Sequence, residues 1–402
     1  MMALVGIALL LLIAYLVCND KAHINWRTVG GAFAIQLLLG AFVIYLPFGQ
    51  AVLLQVTQVV SNIISYANDG IVFVFGEIGN FSQGFIFAVH VLTVIVFFSS
   101  LIAVLYHLHI MGWMIRLIGG ALQKLLQTSR PESMSAAANI FVGHTEAPLV
   151  VRPFIPSMTR SELFAVMVGG LASVAGSVLA GYAGLGVELR YLIAASFMAA
   201  PGGFLMAKLI LPETQRTKND LAEVVDDERY TNVIDAAATG AANGLKLALN
   251  VGAMILAFVG LIALINGMLG WLGGLVGFEG ITLQLLFGYL FQPLAFLLGV
   301  SWDEAQQAGS FIGQKLVINE FVAYLNFVQV QEQLSEHTQI IVTIALCGFA
   351  NFSSIAILLG GLGGMAPNRR QDIAELGMKA LLAATLANLM SAAIAGLFFS
   401  LL

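Results

Sequence analysis

Eight stretches of predominantly apolar residues, each near the ~20 that carry a helix across a hydrocarbon core, decide what this chain can fold into. They run at about 2–18, 29–47, 84–107, 161–184, 190–210, 246–272, 339–363 and 379–401. An extended segment would leave backbone groups unpaired in lipid, whereas a helix satisfies its own. Of the 402 residues, 59% are hydrophobic and 10% are Asp, Glu, Lys or Arg, against roughly a quarter charged in an average soluble domain. Too little charge remains to cover a water-facing surface. The chain reads as an all-α polytopic membrane protein with eight transmembrane helices.

The same composition excludes other classes. The formal net charge is −5 and no basic cluster occurs, which argues against a nucleic-acid binder, because phosphate contacts need Lys and Arg in number. Cys18 and Cys347 lie in apolar runs and are too few for a disulfide framework. The run Met1–Cys18 has no basic n-region and no small-residue cleavage site, so it is expected to stay as a first span.

Positive charge sets direction. Lys21 and Arg27 follow the first span, and no further Lys or Arg occurs until Arg116. Arg116, Lys124, Arg130, Arg152 and Arg160 gather between the third and fourth spans. Lys208, Arg216, Lys218, Arg229 and Lys246 surround the link from fifth to sixth, and Arg369, Arg370 and Lys379 lie between seventh and eighth. Placing these segments in the cytoplasm puts both termini outside, with Arg190 the exception. Between Lys246 and Arg369 only Lys315 is basic, so residues from about 275 to 338 should make no net crossing. The apolar run Ile281–Val300 then has to lie along the interface or pack sideways, which Gly288 and Pro293 permit.

Two further segments read as amphipathic helices in the membrane plane. Residues 56–64 align Val56, Val59, Val60, Ile63 and Ile64 on one stripe, and residues 113–126 align Met114, Leu117, Ile118, Leu122 and Leu125. The densely charged segment 212–240 reads as a solvated connector.

An internal repeat points to a site. Gly170-Leu-Ala-Ser-Val-Ala-Gly176 and Gly348-Phe-Ala-Asn-Phe-Ser-Ser354 share a pattern of Gly and small polar residues in mid-span. Upstream, Thr145-Glu146 corresponds to Asn319-Glu320; downstream, the run from Leu192 to Ser196 corresponds to that from Leu381 to Thr385. By the charge argument the copies enter from opposite sides, the inverted topology common in secondary transporters with a midplane site. A helix from Glu132 to Val142 would be about 16 Å long, half of a ~30 Å core. A re-entrant hairpin of two half-helices meeting at Gly143-His144-Thr145-Glu146 resolves this, and a second hairpin is expected near 303–330 with Asn319-Glu320 at its tip. Intramembrane carboxylates such as Glu146 and Glu320 are functional by default.

At GHTEAP (143–148), NEFVAY (319–324) and GFANFSS (348–354) the sequence resembles the concentrative nucleoside transporter family, bacterial branch. The likeness extends from about Asn25 to Leu402 and includes ESMSAAANIFVG, SELFAVMVGGLASVAG and SSIAILLGGLG. It implies a homotrimer of sodium-coupled nucleoside importers in a bacterial inner membrane, each protomer with a scaffold and a moving transport domain. It also implies that Gly143, His144, Thr145, Glu146 and Val178 hold the base, with Phe349 nearby, while Glu320, Asn351 and Ser354 hold the ribose. Sodium would take Asn139, Ser173 and the backbone carbonyls of Val142 and Val174; no organic cofactor is implied. His144 departs from the family, which usually carries Gln there. An imidazole that can charge near neutral pH should add a pH dependence that Gln would not.

The resulting division is 1–127 scaffold, 128–210 first transport repeat, 211–300 connector with the sixth span, and 301–402 second transport repeat. Two alternatives stand beside sodium symport. One is proton-coupled nucleoside transport; the other is an intramembrane hydrolase using the His and Glu residues, for which no nucleophile or zinc motif is present.

Overall fold

A computed structural model describes residues 2–18, 20–80, 84–215, 230–275, 277 and 280–402, and every regular element among them is helical. Among the described residues, seven helices suffice by length and composition to cross a membrane: Trp26–Tyr45, Pro47–Asn80, Phe87–His107, Arg160–Gly184, Leu189–Ile210, Val233–Leu275 and Pro367–Phe399. An eighth candidate is the pair Leu283–Leu297 and Trp302–Val317, bent by 116°.

Several elements differ from expectation. The first span is a helix of 16 residues, Met2–Val17, short of the ~20 of a full crossing. The stretch around 56–64 belongs to a 29-residue helix, Pro47–Phe75, that is long and apolar enough to span. The sixth span is a 43-residue helix beginning at Val233, so the end of the charged connector is helical; residues 216–229 lie outside the described residues. The early start has a packing reason. Gly240 and Gly244 let this helix close on Leu92–His107, where an added Cβ would meet Ala103 Cβ at 2.6 Å and Ser99 Cβ at 2.7 Å respectively. Small residues four apart are what close helix approach in lipid requires.

The helix Ile110–Leu126 buries Met111, Ile115, Gly119, Leu122 and Leu126. Of the expected apolar stripe, Leu122 is inside while Leu117 and Leu125 are exposed. A membrane helix has two apolar solvents, protein and lipid, so hydropathy alone does not say which stripe faces inward. In the run 281–300, Leu283–Leu297 folds back on Trp302–Val317, with Gly309 so close that a Cβ would sit 2.7 Å from the Phe291 carbonyl carbon.

Burial separates interior from periphery. In Arg160–Gly184 and in Leu189–Ile210, 94% of the apolar window is buried by protein, against 11% in Pro47–Asn80 and 6% in Val233–Leu275. The interior helices are rich in Gly, Ala and Ser, and the peripheral ones carry Leu, Ile and Phe outward. Gln36 is fully buried among three helices, its amide donating to Ser391 Oγ at 2.8 Å and lying 2.5 Å from where a Cβ on Gly202 would stand.

Thr159 and Glu162 form a reciprocal capping box at the start of Arg160–Ala172, and at the start of Arg130–Ala138 Ser129 N donates to Glu132 Oε1 at 2.7 Å, so these backbone donors are satisfied inside the protein. Glu132 also meets Lys208 at 2.6 Å, with side chains 2% and 7% exposed, and Lys208 donates to Ser161 Oγ. Lys208, grouped by sequence with the cytoplasmic charges, is therefore a buried partner. Lys208→Met is expected to destabilise the detergent-solubilised protein by about 3–5 kcal/mol, because it strands a buried carboxylate. Adding Glu132→Gln to it should recover much of the loss, as read from thermal unfolding of the two variants.

Candidate functional site

Two spans break at their centres. The helix Arg160–Ala172 gives way to extended backbone at Ser173–Ala175 before Gly176–Gly184 resumes. The helix Glu336–Leu346 gives way at Cys347–Asn351 before Phe352–Met365, which Asn351 caps by accepting from Ser354 N at 2.9 Å. The expected seventh span, 339–363, is thus two half-helices. The breaks touch, Phe349 N donating to Ser173 O at 3.1 Å. The repeated motif now has a physical reason. A Cβ on Gly348 would lie 2.4 Å from Asn388 Oδ1, and one on Gly170 would lie 2.9 Å from His144 Cβ; each leading glycine makes room for a neighbouring polar segment.

In the first hairpin the helix Arg130–Ala138 stops at Asn139, earlier than the predicted Val142, and residues 139–146 turn into the 3-10 spiral Ala147–Ser157. Gly176 N donates to Phe141 O at 2.9 Å, pinning this turn to the first break. Asn139 is 1% exposed, and neither atom of its amide has a protein partner. Val142 and Val174 are both buried in non-helical backbone, and Ser173 Oγ donates to Gly170 O at 3.2 Å. An unpartnered amide oxygen, carbonyls in non-helical backbone and a hydroxyl are hard oxygen donors of the kind an alkali cation takes.

His144 is buried with both ring nitrogens unpartnered, and its ring meets Phe349 edge-on at 4.7 Å. Gly143 N donates to Glu146 Oε2 at 3.3 Å. Thr145 and Glu146 are exposed. Glu146 lines a cleft of about 190 Å³ with Val142, Arg152 and Ser177 on one side and Tyr106 and Asn243 on the other. Val178 is buried in Gly176–Gly184.

In the second hairpin, Trp302–Val317 breaks at Ile318, and Asn319 caps Glu320–Val328 by accepting from Val322 N at 2.9 Å. Glu320 is 4% exposed; Asn351 Nδ2 donates to its Oε2 at 2.9 Å and Tyr182 OH to its Oε1 at 3.0 Å. Ser354 Oγ donates to Asn351 Oδ1 at 3.0 Å. Glu320, Asn351 and Ser354 thus form one chain of hydrogen bonds, and His144 and Phe349 a contact pair. Glu146 stands apart from Glu320, at the cleft. Sequence reasoning missed Tyr182. Its signal was spacing, since it lies four residues after Val178 and therefore on the same helical face.

Apolar helices broken at their centres, with a buried carboxylate and amides at the breaks, are the build of a secondary transporter. Three family profiles tile the chain: "Na+ dependent nucleoside transporter N-terminus" over residues 5–78, "Nucleoside recognition" over 88–188 and "Na+ dependent nucleoside transporter C-terminus" over 191–396. A transporter of Haemophilus influenzae, named only as uncharacterized, is 59% identical over 99% of this chain and 98% of its own. Nucleoside permease NupC of Helicobacter pylori is 52% identical over 99% and 98%. The solved structure of CNTnw in an inward-facing substrate-bound state is 58% identical, with a TM-score of 0.95 over 100% of this chain and 98% of that one. The chain belongs to the concentrative nucleoside transporter family. It is a multi-span nucleoside transporter rather than an enzyme, which disposes of the hydrolase alternative.

Proposed function

We propose that the protein is a sodium–nucleoside symporter that imports nucleosides such as uridine by alternating access, with residues 128–210 and 301–402 moving against a scaffold of 1–127 and 211–300. The observation that carries this reading is the buried Glu320–Asn351–Ser354 chain standing across the touching breaks from the unpartnered Asn139 amide. Vicinal ribose hydroxyls can donate to the Glu320 carboxylate and accept from the Asn351 amide, and bonds to an ionised acceptor are about twice as strong as neutral ones. The base would lie against Phe349, with Gly143, His144, Thr145, Glu146 and Val178 around it.

Sodium would take Asn139 Oδ1, Ser173 Oγ and the carbonyls of Val142 and Val174. An ion there would tie the first hairpin to the first break and so fix Gly143 and His144 for the base. Binding of each ligand would favour the other by the same factor. We also infer a homotrimer in the bacterial inner membrane with both termini outside, in keeping with the family resemblance and the charge distribution.

The test is uptake of labelled uridine into proteoliposomes under an inward sodium gradient, compared with a proton gradient alone. Accumulation that requires sodium supports the reading. Accumulation with protons alone keeps nucleoside transport and removes the sodium site. His144→Gln is expected to change the uridine KM by about 2–10-fold, the worth of one hydrogen bond. If both KM and its pH profile stay as in the wild type, His144 does not read the base.

A further inference from the structure

Lys315 is used by neither the ribose nor the sodium reading, yet it is 4% exposed near the end of Trp302–Val317. By sequence it would either pair with a hairpin carboxylate or snorkel to the interface; it is buried and forms no close ion pair among the described residues, with the Glu320 carboxylate as its charged neighbour. Its Nζ donates to Ala345 O and to Asn388 Oδ1, both at 2.7 Å. Asn388, 2% exposed within Arg370–Phe399, in turn donates from Nδ2 to Ala172 O at 2.6 Å and Cys347 O at 3.2 Å. The Lys315 bond occupies the amide oxygen and so turns the amide nitrogen toward those carbonyls.

The carbonyls have a common origin. Ala172 is the last residue of the half-helix before the first break; Ala345 and Cys347 stand at the end of the half-helix before the second. The final carbonyls of a helix lack intrahelical partners, and each helix end carries roughly half a negative charge. At membrane depth two such ends side by side call for a cation. The halves of the chain answer differently. At the first repeat the Asn139 amide is left without a protein partner, whereas behind the second break an ammonium is supplied covalently.

We propose that Lys315 is a tethered counter-ion to the two broken helices, a positioning residue that acts through Asn388 and takes the place a second sodium would otherwise fill, limiting coupling to one sodium per nucleoside. The proposal rests on the sodium reading above. Fixing Cys347 O also anchors the strand of backbone that leads to Asn351, and hence the partner of Glu320.

The experiment is uridine uptake by the full chain in proteoliposomes as a function of external sodium, with choline as the replacement cation. The wild type is expected to show a Hill coefficient of about 1, and Lys315→Ala one approaching about 2, the number of sites then available. Lys315→Ala should also be stabilised by sodium over choline in detergent at concentrations where the wild type is already saturated. A merely structural lysine would lower stability equally in both salts. A Hill coefficient that stays near 1 in Lys315→Ala overturns the proposal, whatever happens to KM.

Where Lys315→Ala does not fold, Lys315→Ala with Asn388→Asp supplies an anionic oxygen for a free ion. If both variants stay unfolded in molar sodium, the ammonium is not standing in for a mobile cation and the idea falls. Should the wild type prove to need only protons, the sodium reading fails separately. The proposal is then decided by whether Lys315→Ala acquires a sodium requirement that the wild type lacks.

Discussion

Glu320→Gln is expected to lower kcat/KM for uridine by about 10²–10⁴-fold, the loss of two charge-assisted hydrogen bonds of roughly 1.5–3 kcal/mol each. The substitution is close to isosteric. Glu320 accepts from Tyr182 OH and Asn351 Nδ2, and a Gln oxygen can keep one of these while the tyrosine hydroxyl turns to accept the other. The fold should therefore survive, and the loss should reside in substrate recognition. A substrate lacking the 3′-hydroxyl separates the two effects. If the carboxylate binds that hydroxyl, 3′-deoxyuridine is a poor substrate of the wild type and Glu320→Gln worsens it much less than uridine, which is a coupling energy read from a cycle of protein and ligand changes. Equal losses for the two substrates, or uridine uptake within a few-fold of wild type, would remove Glu320 from the ribose site.

Asn139→Ala should act on the ion instead. Its amide oxygen is a buried group without a protein partner at the first hairpin turn. Removing it is expected to weaken sodium activation of uridine uptake by about 10–100-fold, the loss of one ion-dipole contact taken at the roughly 1.5–3 kcal/mol of a bond to a charged group. The maximal rate at saturating sodium should change far less. Uridine affinity at fixed, limiting sodium should fall as well, because the two ligands are linked. An unchanged sodium concentration dependence would place the ion elsewhere. The side chain also packs near Gly169, whose Cβ would stand 3.2 Å from Asn139 Nδ2, so Asn139→Asp is a useful companion that preserves volume and adds charge.

The reach of sequence reasoning differs between features of this molecule. The motifs at 170–176 and 348–354 were legible because Gly, Ser and Asn in mid-span are disfavoured in lipid; that the helices break there came from the structure. The polar tips were legible because a carboxylate in an apolar run has to be accommodated by something. The start of the long helix at Val233 was not: the charges of the connector mask it, and Gly240 and Gly244 matter only because Ser99 and Ala103 lie opposite. Which face of Ile110–Leu126 meets protein was not legible for a related reason, since in a membrane both faces of a helix can be apolar.

Lys208 and Lys315 show the same boundary at the level of single residues. Counted along the chain, Lys208 belonged with the topology-setting charges and Lys315 was left between a hairpin carboxylate and the interface. Folded, Lys208 pairs with Glu132, 76 positions before it, and Lys315 holds Asn388, 73 positions after it. Periodicity relates residues three or four apart and is silent at such separations.

By itself, then, the sequence determined that the chain lives in a membrane as helices, that two of those helices carry small polar residues in mid-span, and that carboxylates stand in apolar surroundings at Glu146 and Glu320. These follow from local chemistry, because lipid rejects unpaired backbone and unpaired charge wherever they occur. Only the tertiary structure decided that the breaks touch through Phe349 and Ser173, that Tyr182 and Asn351 close on Glu320, and that one lysine serves both broken helices. Those contacts, with the Asn388–Ala172 bond that Lys315 acts through, join segments 30 to 216 residues apart, and their energy depends on where whole helices cross, which no short stretch of sequence specifies.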